Sequence, residues 1–318
     1  MNVMSKKPEV SVVIPLYNKE STVERAIRSV LAQTFQDFEL IVINDGSTDR
    51  GPEVVAAIED PRIRLLHQSN AGVSAARNRG IDMANAGLVA FLDADDEWYA
   101  GFLSAITDLH QRFPLAGLYA TRYEITDGSN HSPVPSRARG IPAPPWSGII
   151  PNFYKTTVGM VFTSAAVVKR EAAIEAGGFD TALHIGEDLE MWFRIARDHP
   201  VAFSSVVAVL WHTEASDPSR KVVYPREVMA SSMWQSMLKM EREGLLTDRL
   251  KSLMMNYVGR HELGIARWLC GAGCSKEALE VLVSWRRRYG FSPKWLCVYI
   301  YAFLRRLVGT IDLWSNRK

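Results

Sequence analysis

"VAFLDADDEW", residues 89–98, drives from an apolar run into three aspartates over four positions, Asp93, Asp95 and Asp96, and stops at a tryptophan. Carboxylates crowded this closely repel one another unless positive charge sits among them. The preceding "GLVAFLD" (87–93) has the length and apolar continuity of a strand buried on both faces. Working outward, the same signal recurs upstream. "VSVVIPL" (10–16), "FELIVIND" (38–45) and "RIRLLHQ" (62–68) read as strands. Between them lie helix-like segments: "STVERAIRSVLAQ" from Ser21, residues 52–59, and "GVSAARNRGIDMAN" (72–85). In the first of these, Ser21 and Glu24 have capping-box spacing, and Val23, Ile27, Val30 and Leu31 share one helical face.

Apolar strands alternating with helices predict an α/β fold with a mostly parallel sheet covered on both faces. Ligands bind such sheets at the carboxyl ends of the strands. Three strands end there in polar clusters: Tyr17-Asn18, Asn44-Asp45-Gly46-Ser47, and Asp93-Ala94-Asp95-Asp96. A single acidic turn reads as solvated surface, whereas three on one sheet edge predict a cleft. The middle of the chain is less regular. Six prolines between 133 and 151 predict an extended loop. "GMVFTSAAVVKR" (159–170) resumes a strand pattern, "GEDLEMWFRIARDH" (186–199) reads as a helix, and "VAFSSVVAVLWH" (201–212) as a last strand.

The chain has 318 residues, 47% of them hydrophobic and 23% charged, which is enough material for one large domain or two ordinary ones. A net charge of +2 gives no argument for nucleic acid. Cys270, Cys274 and Cys297 form neither a disulfide framework nor a zinc pattern and read as helix core. No signal peptide and no run of about 18 apolar residues is seen, so a cytoplasmic protein is expected. The expected division is a catalytic domain over 1–217 and a helical region over 218–318. Residues 234–318 carry fifteen Lys and Arg against seven Asp and Glu. That region is expected to pack on the core, to meet a second copy, or to lie on the inner face of an anionic membrane through "WLCVYIYAFLRRLVG" (295–309).

The Gly-x-Gly-x-x-Gly, P-loop, His-Glu-x-x-His and nucleophilic-elbow patterns are absent. What remains is acidic. Asp93 and Asp95 flank one small residue, and in an extended or turning backbone such a pair points to one side. Two converging carboxylates suit a hard divalent cation, Mn2+ or Mg2+, that keeps positions for phosphate oxygens and water. On this reading the positive charge missing from the opening stretch is a metal, and the metal's partner is a diphosphate.

With these residues in view, the chain resembles the family-2 glycosyltransferases of the A-type fold, a Rossmann-like nucleotide-diphospho-sugar transferase fold. The resemblance covers roughly 9–215 and rests on ordered blocks: "VSVVIPLYN", "VINDGSTD", "NAGVSAARNRGI", "FLDADD", "GGFD" and "GEDLEMWFRI". It implies sugar transfer from a nucleotide-sugar donor with inversion. It also implies site residues. Pro15, Tyr17 and Glu20 would edge the nucleotide pocket, Asp45 would read a uracil edge, and Arg77 would lie near base and diphosphate. Asp93 would touch ribose or metal, Asp95 would be the principal metal ligand, and His212 would be a third ligand. Asp188 would be the general base, with Glu187 its rival.

Each of these has a plainer reading. Asp45 could cap a turn, Arg77 could be a solvated helix charge, Asp188 could be a helix N-terminal acid, and His212 could be packed or exposed. Trp192 and Arg194 read as structural, the arginine bracing a carboxylate, and Trp98 as a candidate for the acceptor side. One base suffices for the implied reaction. A nucleoside diphosphate leaves as a stabilised anion, so the second acid a glycosidase needs is replaced by a metal. The expected donor is a UDP-sugar and the expected acceptor a glycan or lipid-linked saccharide. The rivals are a nucleotidyltransferase, for which "IPLYNKES" lacks a phosphate loop, and a non-catalytic glycan-binding protein on the same fold.

Overall fold

In the computed structural model, residues 7–126, 128–134, 139–156, 158–183, 186–213 and 232–315 are described. The chain divides into two compact units, 1–221 and 222–318. The expected boundary at 217/218 lies outside the described residues.

The first unit is built on one mixed sheet. Its strands are β1 (Val10–Leu16), β2 (Phe38–Asp45), β3 (Ile63–Gln68), β4 (Leu88–Phe91), β5 (Glu97–Trp98), β6 (Leu118–Thr126), β7 (His131–Val134), β8 (Ser147–Ile149), β9 (Ala166–Lys169) and β10 (Val201–His212). The order is β3-β2-β1-β4-β9-β6-β10-β5, with β7 on β6 and β8 on β10. β1 to β4 are mutually parallel, as the alternation with helices predicts. β9 then runs antiparallel between β4 and β6, and β10 is parallel to β6. The sheet is therefore more mixed than expected. The segment around 159–170 opens with a short 3₁₀ turn, Thr163–Ala165, and reaches strand geometry only at Ala166. Part of the proline-rich stretch is strand as well, since β7 runs into it and β8 falls within it.

The helices of this unit are α1 (Val23–Leu31), α2 (Gly51–Ala56), α3 (Val73–Met83), α4 (Phe102–Arg112), α5 (Arg170–Glu175) and α6 (Glu187–Asp198). On one sheet face Val12, Ile14, Leu16, Leu40 and Val42 share a core with Val23, Ile27 and Val30 of α1 and Phe102 and Ile106 of α4. Each fully buried aliphatic contributes about 1.5–3 kcal/mol. Val13, on the alternate face, meets α3 so closely that a Cβ at Gly80 would lie 2.3 Å from its Cγ1. Side chains on both faces of β1 are thus covered, which is why the strand reads apolar throughout. The predicted capping box at Ser21 does not form. α1 starts at Val23 with Thr22 as N-cap and no side-chain cap bond, and Glu24 pairs instead with Arg28 one turn on.

The second unit is helical: α7 (Ser232–Arg242), α8 (Asp248–Gly271), α9 (Ser275–Tyr289) and α10 (Pro293–Ser315). Ala266, Leu269, Cys270, Leu282, Trp285, Trp295 and Ala302 form its core. Cys270 is buried, in accord with a packing role, while Cys297 is exposed. No helix among the described residues is long and apolar enough to cross a membrane.

Candidate active site

Because β1, β2 and β4 are parallel and in register, their carboxyl ends open on one edge. The loops leaving that edge carry Tyr17, Glu20, Asp93 and Asp95. After β1, Asn18 takes a left-handed backbone conformation (φ 52°) and accepts from Thr48 N at 2.8 Å, tying this loop to the one after β2. Glu20 is spent in the same way, accepting from Arg50 N at 2.9 Å. Pro15 sits in β1 opposite Ile43, and Tyr17 beyond it is 47% exposed.

Asp45 ends β2 and is buried. Its Oδ1 accepts from Gln68 Nε2 (2.7 Å) and Ala71 N (2.9 Å), and its Oδ2 from Gly72 N (2.9 Å). The turn-holding role is thus present, with one acceptor position left on Oδ2.

Arg77 of α3 is buried and is no solvated charge. Its guanidinium donates to Asp93 Oδ1 and to Glu187 Oε1, both at 2.7 Å. Burial works against its charge, but the two carboxylates outweigh it and hold its pKa above the usual value. Lys19 Nζ lies 2.8 Å from Asp95 Oδ2, and Arg25 donates to the Asp95 carbonyl at 2.7 Å. The acids of the opening stretch therefore already have cations among them. The sequence reading looked to a metal alone for this positive charge and did not foresee these side-chain contacts.

The third acid behaves differently. Asp96 is buried, accepts from Ser164 Oγ and from His212 N, and is pushed well above the usual carboxylate range by burial and then by Asp93 and Asp95.

Asp188 stands in the first turn of α6. Its Oδ2 accepts from Thr163 Oγ1 (2.8 Å) and its Oδ1 from Leu189 N (2.7 Å). Part of it still meets solvent, yet the protein around it pushes its pKa up to about 6, burial first and Glu187 second. Tyr123 nearby is pushed up to about 12 by burial and then by Asp188. Glu187, the rival base, is held by Arg77. Arg194 braces Glu190 (2.6 Å) and the Gly178 carbonyl (2.7 Å), and Trp192 is buried against Phe91 and Phe179, so both serve structure.

Asp93 Oδ2 and Asp95 Oδ1 accept nothing from the described residues, and both side chains are about a quarter exposed, at 26% and 24%. Two hard oxygen donors beside solvent fit Mg2+ or Mn2+, which complete their shells with phosphate and water. No cluster of three metal-binding side chains occurs among the described residues. His212 is therefore not brought to one centre with Asp93 and Asp95, and its Nε2 lies 3.3 Å from Glu97 Oε2 instead. Trp98 is buried, stacks on Phe102 (4.2 Å) and donates to the Ser164 carbonyl (2.6 Å), so it does not line an acceptor side. Sequence reading missed Lys19, Thr163 and Ser164. None of the three falls within the ordered blocks of the resemblance.

Comparison with known proteins establishes the family and the fold. Residues 11–177 match the model for "Glycosyl transferase family 2". The chain belongs to that family. The uncharacterized glycosyltransferase YibD of Escherichia coli (strain K12) is 48% identical over 98 residues, a match spanning 30% of this chain and 28% of YibD. The structure of S. aureus TarS 1–349 in complex with UDP-GlcNAc is similar at a TM-score of 0.67 and 15% identity, over 93% of this chain and 88% of that one. The mannosyltransferase PcManGT from Pyrobaculum calidifontis, in complex with GDP-Man and Mn2+, is similar at 0.60 and 17%, over 97% and 88%. These likenesses show the A-type glycosyltransferase fold.

Proposed function

We propose that the protein transfers a sugar from a nucleotide-sugar to an acceptor hydroxyl in a single in-line displacement with inversion, with Asp188 as general base. The observation that carries this reading is the contrast between adjacent carboxylates. Glu187 is ion-paired with Arg77, whereas Asp188, which accepts from Thr163 Oγ1, is pushed up by burial to about 6, matched to taking up a proton near neutrality. The base accepts the acceptor's proton as its oxygen attacks the anomeric carbon from the face opposite the diphosphate. Asp93 and Asp95 would hold a divalent ion, Mn2+ or Mg2+, which when bound supplies positive charge for the departing diphosphate. Pro15 and Tyr17 edge the nucleotide, and Asp45 offers its remaining lone pair to a base N–H, for which uracil N3–H is suited. Glu20 supports that edge through the Arg50 loop.

Support for a nucleotide-sugar donor comes from the UDP-GlcNAc and GDP-Man held by the two structural neighbours. We favour a UDP-sugar as donor and a glycan or lipid-linked saccharide as acceptor. The net-basic second unit would touch the anionic inner membrane face peripherally. Exposed Leu296, Ile300, Phe303 and Leu304 on α10 support contact with a bilayer or a second copy.

The test measures nucleoside diphosphate release and transfer with UDP- and GDP-sugars in Mn2+. Asp188→Asn is expected to lose transfer and keep diphosphate binding, and Asp95→Ala to weaken metal-dependent donor binding. Wild-type transfer by Asp188→Asn would remove it as the base. No turnover by the native chain with any donor would favour a non-catalytic binding protein.

A further inference from the structure

Two neighbouring side chains in the 3₁₀ turn Thr163–Ala165 reach opposite halves of the site. Thr163 Oγ1 donates to Asp188 Oδ2 at 2.8 Å. Ser164 is turned the other way and holds the acidic loop at three points. Its Oγ accepts from Asp93 N (3.2 Å) and donates to Asp96 Oδ2 (2.5 Å), and its carbonyl accepts from Trp98 Nε1 (2.6 Å). Both residues are buried, Thr163 at 3% and Ser164 at 0% exposure. A threonine and a serine with no space around them hold their hydroxyls in one orientation. A single peptide unit therefore connects the carboxylate on α6 to the loop carrying Asp93 and Asp95, although these lie far apart in sequence.

We propose that Thr163 and Ser164 are positioning residues. Thr163 aims the base, Ser164 seats the donor-side acids, and the peptide between them fixes the separation of the two. Neither touches the reacting atoms. This rests on Asp188 being the base for the Thr163 half only; the Ser164 half concerns donor binding and stands without it.

Orientation of a base tolerates little error, since a displacement of about 1 Å can cost on the order of 100-fold. The bond from Thr163 also favours the ionised carboxylate, so its loss moves the proton affinity of Asp188 upward.

The experiment compares Thr163→Val, Thr163→Ser and Ser164→Ala as full-length proteins, in kcat, in KM for the nucleotide-sugar, and in the pH profile of kcat. Thr163→Val is expected to lower kcat about tenfold or more, leave donor KM unchanged, and move the acid limb to higher pH. Thr163→Ser, which keeps the hydroxyl, restores both. Ser164→Ala is expected to raise donor KM and weaken Mn2+-dependent nucleoside diphosphate binding while the acid limb stays in place. Wild-type kcat and pH limb in Thr163→Val overturn the proposal. So does one shared phenotype in Thr163→Val and Ser164→Ala, with lowered Tm and no rescue by serine, because that is the mark of packing alone. If Asp188→Asn remains active while Ser164→Ala still weakens donor binding, the base assignment fails and the seating role survives.

Discussion

Asp188 in the first unit and Glu262 in the second are both pushed up by burial, to about 6 and about 7. Their surroundings differ. Glu262 is 0% exposed on α8 and is bound by Arg288 at 2.7 Å, while Arg288 in turn lies over the Trp234 ring. Glu262 thus has its counter-cation within the helices of the second unit. Asp188 meets a hydroxyl, a backbone amide, a second acid and the field of Arg77, at the end of a sheet where Asp93 and Asp95 each keep an oxygen that accepts nothing from the described residues. Structural ion pairs and functional acids both shift their pKa values. A raised value therefore records burial. What sets Asp188 apart is the pair of neighbouring carboxylates, Asp93 and Asp95, that stand about a quarter exposed beside it.

The comparison breaks most sharply if both acids are neutralised. Asp188→Asn should lower transfer about 10²–10⁴-fold, and Glu262→Gln should leave it unchanged. An equal loss in the two variants would erase the distinction. The arginines come next. Arg77→Met and Arg288→Met each strand a buried carboxylate and should cost about 3–5 kcal/mol in denaturant unfolding, with Arg77 the larger because it serves two acids. Adding Glu262→Leu to Arg288→Met should recover most of that loss, since an apolar pair can replace a buried ion pair. Failure to recover would give the Glu262 pair a role beyond packing.

The pH dependence sharpens the contrast, because stability and activity move in opposite directions. Both acids bind their proton more tightly when folded. Glu262 contributes stability fully present below about 4.5, its ordinary value, and lost as pH rises through about 7. Asp188 does the same between its ordinary 3.8 and about 6, yet, with Asp188 as the proposed base, transfer should rise through about 6 as it ionises. Tm measured from pH 4 to 8 should fall less steeply in Glu262→Gln than in the native chain. Identical slopes would deny the shift. Smallest of all, Arg28→Ala removes an exposed pair with Glu24 on α1 and should cost no more than about 0.5 kcal/mol.

The sequence carried the parallel half of the sheet because its signal is local. β1, β2 and β4 are short, apolar and β-branched, and each runs into its polar loop within a few residues. Asp188 entered only through the resemblance of the "GEDLEMWFRI" block, because an acidic first turn by itself reads as a helix N-terminal charge. The antiparallel β9 was not legible, since direction depends on which neighbours a strand finds. The cations among the acids were also hidden. Lys19 reaches Asp95 across 76 positions and Arg77 reaches Glu187 across 110, and no spacing rule links such pairs. Trp98 looked available beside the acids, but its indole follows the chain inward to Ser164. The capping box lost to a helix that begins one residue later than its pattern requires.

Gly80 carries a consequence for how damage would spread. It lies three positions after Arg77 on α3, where the helix rests directly on Val13. Adding one methyl group there would lift the helix from its seat and carry the guanidinium with it. A change with no chemistry of its own, at the contact of this helix with Val13, would then misplace the acids on both sides of that cation. The tolerances of the active centre are in this sense machined at a residue that has no side chain.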